Sequence, residues 1–202
     1  MHLLGFKKFA PWALVAFSAI LGSAADKRHK KPLVYDFSLV QPSGANALIY
    51  EDPDINVTFH LQGDGWITFQ VSNKTNSIVR LIWSEAAFSD TKGESSKLIP
   101  GETRRMALDQ PQSDAVVLPS STYSATAFPR SFYVTGLVGY DPGTFWIASI
   151  LAWPHPHSRC CDDSTIQNQI GKTFQVYLPF VIGEAKRGLT SKFEVTSARF
   201  VD

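Results

Sequence analysis

The sequence predicts an all-β protein, an antiparallel β-sandwich of about nine or ten strands. Apolar and polar residues alternate in several short segments, as a strand with one buried face requires. Gly, Pro, Asn and Asp separate most of these segments, and no sustained helical stripe of apolar residues follows the N-terminal region. With 202 residues, 44% hydrophobic and 18% charged, the composition is that of one globular domain.

The first four predicted strands show the alternation most clearly. They cover residues 34–40 (VYDFSLV), 55–62 (INVTFHLQ), 66–71 (WITFQV) and 77–83 (SIVRLIW). In the second of them every apolar side chain falls on one face and every polar side chain on the other. Gly63-Asp64-Gly65 has the glycines of a tight hairpin, so the second and third strands are expected to pair.

The later strands are predicted from shorter runs between turn residues. They are Val116–Leu118, Tyr123–Phe128, Ser131–Val138, Thr144–Trp153, Thr173–Ile182 and Lys192–Phe200. The polar stretch Ser84–Ser113 is predicted to be a long loop, and we interpret it as a possible recognition loop.

Aromatic residues on the predicted strands should supply the core. They are Phe37, Phe59, Trp66, Phe69, Trp83, Phe145, Trp146, Phe174, Phe180, Phe193 and Phe200. The alternative is an exposed aromatic platform for sugars, for which Trp66, Trp146 and Trp153 are the candidates.

The N-terminus has the pattern of a secretory signal peptide. Lys7 and Lys8 precede the apolar run 9–21, and Ser23-Ala24-Ala25 offers the small side chains that signal peptidases read. We expect residues 1–25 to be cleaved off, residues 26–32 (DKRHKKP) to form a flexible basic leader, and residues 33–202 to form the sandwich domain. The alternative is an uncleaved anchor, although the run is shorter than the roughly 20 residues that span a bilayer.

This leader places the mature protein in the periplasm or outside the cell, without a membrane span. Residues 1–25 hold two of the 19 basic residues and none of the 18 acidic ones, so the mature chain has 17 basic and 18 acidic residues and a net charge of −1. A net charge this close to zero gives no general attraction to nucleic acid.

No sequence motif indicates an enzyme. The patterns GxSxG, HExxH, GxxxxGK[ST] and GxGxxG are all absent, and no motif marks a serine as a nucleophile with a histidine partner. The adjacent acids Glu51-Asp52 and Asp162-Asp163 point to opposite sides of an extended chain, so neither pair makes an acid/base couple by itself. We therefore predict no catalytic residue and no cofactor.

The stretch His155–Asp163 (HPHSRCCDD) is the one segment rich in metal ligands. His155 and His157 are two residues apart, so in an extended chain both imidazoles face one side and could share an ion. Cys160 and Cys161 are adjacent, whereas zinc sites usually space cysteines by two or more residues. A polar loop, a metal site and a redox site all remain open.

Cys160 and Cys161 are the only cysteines of the chain. In an oxidising compartment they are a vicinal disulfide, two free thiols or bridges to another chain. The vicinal bond is strained, because adjacent Cα atoms lie about 3.8 Å apart and disulfides usually need about 4.4 Å or more.

Two triplets, Asn56-Val57-Thr58 and Asn73-Lys74-Thr75, match the N-glycosylation sequon. Asn56 falls on the polar face of its predicted strand and should be accessible.

Residues 69–100 (FQVSNKTNSIVRLIWSEAAFSDTKGESSKLIP) combine a strand, a turn of the N-K-T type, a strand that ends in Trp83 and an acidic D-x-x-G loop at 90–93. This order resembles that of secreted bacterial envelope proteins of uncharacterised role, and VYLPFVIG (176–183) is similar to their penultimate strand. The resemblance implies an immunoglobulin-like sandwich and no catalytic residue.

The sequence thus predicts a secreted, non-enzymatic envelope protein that acts as a binding or structural module on an unknown envelope or surface partner. Sheet edges and end loops are the expected contact surfaces. The alternative function is metal handling or redox chemistry through His155, His157, Cys160 and Cys161.

Overall fold

The computed structural model describes residues 33–42, 48–61, 66–135, 145–147 and 167–200. The predicted signal peptide, the basic leader and the stretch His155–Asp163 lie outside these ranges. The strands of the described residues are β1 (Leu33–Gln41), β2 (Ile49–Glu51), β3 (Ile55–Leu61), β4 (Ile67–Asn73), β5 (Val79–Leu81), β6 (Ala87–Ser89), β7 (Ser95–Pro100), β8 (Ala115–Val117), β9 (Thr122–Pro129), β10 (Tyr133–Thr135), β11 (Phe145–Ile147), β12 (Thr173–Ile182) and β13 (Ala185–Phe200).

The prediction of an all-β, antiparallel fold is confirmed. Eleven strands form one antiparallel sheet, and β10 and β11 form a separate pair. Short 3-10 turns at Trp83–Glu85, Arg105–Ala107 and Arg130–Phe132 interrupt the strands. The predicted count of about nine or ten strands is too low, because β2, β6 and β7 were missed; β2 and β6 have only three residues each and are too short to show a full alternation.

The large sheet runs in the order β1-β13-β12-β6-β7-β9-β4-β3-β2, and β5 joins β12 and β8 beside this path. Strand β7 pairs with β6 through residues 95–97 and with β9 through residues 98–100. It therefore connects a β12 half (β1, β13, β12, β5, β6, β8) with a β4 half (β9, β4, β3, β2).

The two halves pack face to face around one core. The rings of Phe59 on β3 and Phe193 on β13 lie 4.9 Å apart, although these strands are far apart in the sheet order. Phe69 on β4 lies 5.9 Å from Trp83, which follows β5. The sheet thus folds over on itself and buries its inner side chains between its own two halves.

The core is largely the predicted aromatic one. Phe59, Phe69, Trp83, Phe174, Phe180 and Phe193 are buried, as are Phe88 and Phe128, which were not predicted. Phe37 and Trp66 are only partly buried. The side chains of Phe145, Trp146 and Phe200 lie outside the described set.

Two predicted strands have other boundaries in the structure. Strand β13 begins at Ala185 rather than at Lys192, because Gly183, with φ +60°, and Glu184 form a tight turn directly after β12. The predicted strand 77–83 is shortened to β5, since the chain leaves the sheet at the 3-10 turn that starts at Trp83.

This departure at Trp83 explains how a proline fits into the long strand β12. Residues 175–177 of β12 pair with β6 and residues 180–182 pair with β5, so Pro179 faces the gap between these two neighbours. Its carbonyl accepts the Ile82 amide at 3.0 Å on that side. Pro179 has no N–H to return to the Ile82 carbonyl, which instead accepts the Glu85 amide at 3.2 Å and so is not left without a donor.

The prediction of a long loop over Ser84–Ser113 is wrong. The segment contains β6 and β7, which join the two halves of the sheet. Their hairpin closes at Asp90, whose carboxylate accepts the backbone N–H groups of Lys92 and Glu94 at 2.8 and 2.9 Å. The sequence did not predict β7 because its first half, Ser95-Ser96-Lys97, is solvent-accessible and entirely polar.

Candidate binding face

The outer surface of the β4 half carries a regular array of small polar side chains. Strands β3, β4 and β9 pair in register, so the outward residues form three rows across three strands. These nine residues, here called the polar face, are Asn56, Thr58, His60, Thr68, Gln70, Ser72, Thr122, Ser124 and Thr126. All are exposed or half-buried, while the residues between them are buried in the core or packed against it.

Hydrogen bonds between strands fix most of these side chains. The hydroxyl groups of Thr68 and Thr126 lie 3.1 Å apart, and those of Ser72 and Thr122 lie 3.1 Å apart. Between these two pairs, the Gln70 amide donates to Ser124 at 3.4 Å. Cross-strand pairs of this kind stabilise a sheet, and they also hold the hydroxyl groups in fixed positions.

The polar face carries no Asp, Glu, Lys or Arg. A charged pair borders this surface. Glu51 on β2 lies opposite Asn56, and the Glu51 carboxylate lies 3.0 Å from the Lys74 ammonium group. Opposite charges at this border offset each other, so the surface offers hydrogen-bond donors and acceptors without a net charge.

A second, smaller core closes one end of the polar face. Ile99, Leu108 and Phe128 are buried there, and Trp66 packs edge-on against Phe128 with ring centroids 5.4 Å apart. This contact argues against Trp66 as a free sugar-stacking platform, since its ring is committed to the cluster. Trp153 lies outside the described residues, and of Trp146 only the backbone in β11 is described.

Gly101 is required where the chain passes this cluster. A Cβ atom at Gly101 would lie 2.9 Å from the Thr126 carbonyl oxygen and 3.3 Å from the Trp66 ring. The absence of a side chain lets the Gly101 amide donate to the Thr126 carbonyl at 2.7 Å.

The segment after β7 also forms a shallow cleft of about 280 Å³, lined by Pro100, Glu102, Thr103, Arg104, Ala107, Gln112 and Ser113. Gln112 connects two sides of the cleft by hydrogen bonds. Its Oε1 accepts a bond from the Thr103 hydroxyl at 2.9 Å, and its Nε2 donates to the Ala107 carbonyl at 2.7 Å. Small-molecule pockets usually enclose about 300–1,000 Å³ and are mostly apolar. The cleft is slightly smaller than this range and open to solvent, so the polar face is the stronger candidate.

An acidic turn between β2 and β3 contacts the β12 half through Arg187. The guanidinium group lies 2.5 Å from Asp54 and 3.8 Å from Asp52. Partial burial raises the pKa of Asp52, but this effect is smaller than that of the groups bound to the carboxylate. The pKa is lowered overall by the N–H groups of Ile55 and Asp54, the Tyr50 hydroxyl and Arg187. Burial, and then the bond to Asp52, raise the pKa of Tyr50. These hydrogen bonds and ion pairs hold the turn against the β12 half, so we assign the turn a structural role.

The open edges give less support to partner binding. Among the described residues, β1 and β2 each pair on one side only. Strand β8 is also an edge, and Ile78, Val116 and Leu118 form a small exposed apolar patch beside it. The Asn73 side-chain amide donates to the carbonyl groups of Val117 and Leu118. These two carbonyls are therefore less available to a strand that would add to the β8 edge.

The two glycosylation sequons have opposite surroundings. Asn56 lies on the polar face, as predicted, but it is half-buried there and accepts a hydrogen bond from Thr58, so it is only partly accessible. Asn73 is 3% exposed, and its amide group serves the turn after β4.

The predicted metal or disulfide residues His155, His157, Cys160 and Cys161 lie outside the described residues, and their roles stay predictions. Within the described ranges, no group of three or more His, Cys, Asp or Glu side chains is placed to hold an ion. No helix there is both long and apolar enough to cross a bilayer.

Sequence reasoning missed the polar face, although part of its signal was present. The predicted polar positions Asn56, Thr58, His60, Thr68 and Gln70 are outward residues of β3 and β4. The third column comes from β9, about fifty residues further along the chain, and that pairing has no local sequence signal.

Comparison with known proteins gives no relative. No protein-family model matches the chain, and neither a curated protein nor a solved structure matches it. The resemblance of residues 69–100 and 176–183 to secreted bacterial envelope proteins therefore stays a prediction from sequence.

Proposed function

We propose that the protein is a secreted, non-enzymatic binding module of the cell envelope, and that the polar face is its contact surface. Its fold is of the immunoglobulin-like sandwich type. The leader 1–25 directs it to the periplasm or the cell exterior, and the mature domain acts there by attachment to an envelope partner.

The observation that supports this proposal is the regularity of the polar face. Nine side chains, none of them Asp, Glu, Lys or Arg, stand in three rows on the sheet, and hydrogen bonds fix most of their positions before any ligand arrives. A preorganised surface loses little conformational entropy when it binds.

The test is capture of the mature protein by its native envelope fraction. Gln70→Glu adds a negative charge at the centre of the polar face with almost no change in side-chain size, and it should reduce capture strongly. The matched control is Gln175→Glu, which changes an equally exposed glutamine on the outer side of the β12 half. Equal capture of the two variants would contradict the proposal.

A further inference from the structure

The chemistry of the polar face limits what can cover it. A charged ligand would lose its hydration there and find no opposite charge among the nine side chains. An apolar ligand would bury their hydroxyl and amide groups without partners, at about 1–3 kcal/mol for each unsatisfied group. A neutral ligand rich in hydroxyl groups avoids both penalties.

The hydrogen bonds within the face leave capacity for such a ligand. In the pair Thr68–Thr126 one hydroxyl donates to the other, so the second hydroxyl keeps its proton for an outside acceptor. The same holds for Ser72–Thr122. Each pair also keeps free acceptor positions, and a chain of linked hydroxyl groups polarises in the direction that strengthens the next bond.

The rows repeat in two directions. Neighbouring strands lie about 4.8 Å apart, and outward residues along one strand lie about 6.8 Å apart. A ligand that offers hydroxyl groups at regular intervals can meet several rows at once, so individually weak contacts add up. A single sugar would meet only one or two of them.

We propose that the polar face binds an extended, uncharged polysaccharide. The inference rests on the proposed function, since it names the ligand of the same surface. The four threonine methyl groups of the face add apolar contact with the C–H surface of sugar rings. Binding depends on the length of the polymer rather than on an end group, because the face is open at its sides.

The experiment is co-sedimentation of the mature protein with cellulose and chitin powders, together with affinity electrophoresis through dextran and through anionic polygalacturonate. We expect retention on at least one uncharged polymer. This retention should persist when ionic strength rises from about 0.1 to about 1 M, a change that shortens the Debye length from about 10 to about 3 Å. Retention by polygalacturonate alone, or release at high salt, would overturn the proposal.

The variants locate the binding. Gln70→Glu should weaken retention about tenfold, which equals about 1.4 kcal/mol, and Ser124→Glu on the neighbouring strand should repeat the effect. Gln175→Glu should bind as the wild type does. Equal losses in all three variants would overturn the proposal, as would retention on none of the uncharged polymers. If the envelope fraction captures the protein through the polar face but only a protein partner is recovered, the binding function stands and the polysaccharide inference fails.

Discussion

The side-chain amide of Asn73 donates a hydrogen bond to the Val117 carbonyl at 3.1 Å and thereby ties the end of β4 to strand β8 of the other half of the sheet. The same nitrogen contacts the carbonyl groups of Ser77 and Leu118 at 2.7 and 3.1 Å. Its Oδ1 accepts the Thr75 amide and hydroxyl. One buried side chain thus satisfies a turn and an edge strand together.

Replacement of this side chain should be costly. Asn73→Ala leaves the buried Val117 carbonyl without this donor and removes the side-chain bonds of the turn, so we expect a loss of about 1–3 kcal/mol in the free energy of unfolding. Asn76→Ala, at an exposed position of the same turn, should stay within about 0.5 kcal/mol of the wild type. Denaturant unfolding measures both, and similar stabilities for the two variants would contradict this role of Asn73.

The buried hydroxyl of Ser191 predicts a change in the opposite direction. Ser191 is fully buried on β13, and its Oγ has no hydrogen-bond partner among the described residues. Ser191→Ala removes a desolvated polar group, so the free energy of unfolding should stay the same or rise by up to about 1 kcal/mol. The comparison is Ser197→Ala on the same strand, which removes a 2.5 Å bond to Asp36 and should destabilise. Thermal unfolding that ranks the two variants the other way would refute the expectation.

Gly188 on β13 lies under the ring of Tyr177. A Cβ atom at this position would approach the ring to 2.6 Å, so Gly188→Ala should displace Tyr177 and destabilise the protein. In a Tyr177→Ala background the same change should stabilise by about 0.5–1 kcal/mol, because alanine loses less backbone entropy than glycine. A double-mutant cycle checks this reversal of sign. Equal effects in the two backgrounds would show that the ring does not constrain the glycine.

The lowered pKa of Asp52 predicts a dependence of stability on pH. A carboxylate whose folded-state pKa lies below its unfolded value of about 3.9 contributes stability that is present above that value and is lost as the pH falls through the folded-state pKa. Asp52→Asn keeps an oxygen for the N–H groups of Asp54 and Ile55 but loses the charge that faces Arg187. The variant should therefore be less stable than the wild type at pH 7, and the difference should shrink near pH 2. A difference that does not change between these pH values would contradict the assignment.

The sequence predicts the parts of this fold whose signal is local. Strands β3 and β4 are long enough for a complete alternation, and their buried residues follow it. Strand β9 was found within one residue at each end. Strand β6 has only three residues, so its assignment depends on pairing with β12, which lies nearly ninety residues further along the chain.

The candidate site was only half predictable for the same reason. Most outward residues of β3 and β4 can be read from residues 55–71, whereas their alignment with Thr122, Ser124 and Thr126 follows from the pairing of β4 with β9. The role of Trp66 also required the structure, because its partner Phe128 comes from that distant strand.

The central claim is that the polar face makes contact with the envelope, and NMR of the nitrogen-15-labelled mature protein tests it most directly. Amide spectra are recorded with and without a soluble extract of the native envelope. The account predicts that the largest changes fall in residues 56–60, 68–72 and 122–126. Changes confined to β12 and β13, or no change at all, would contradict it.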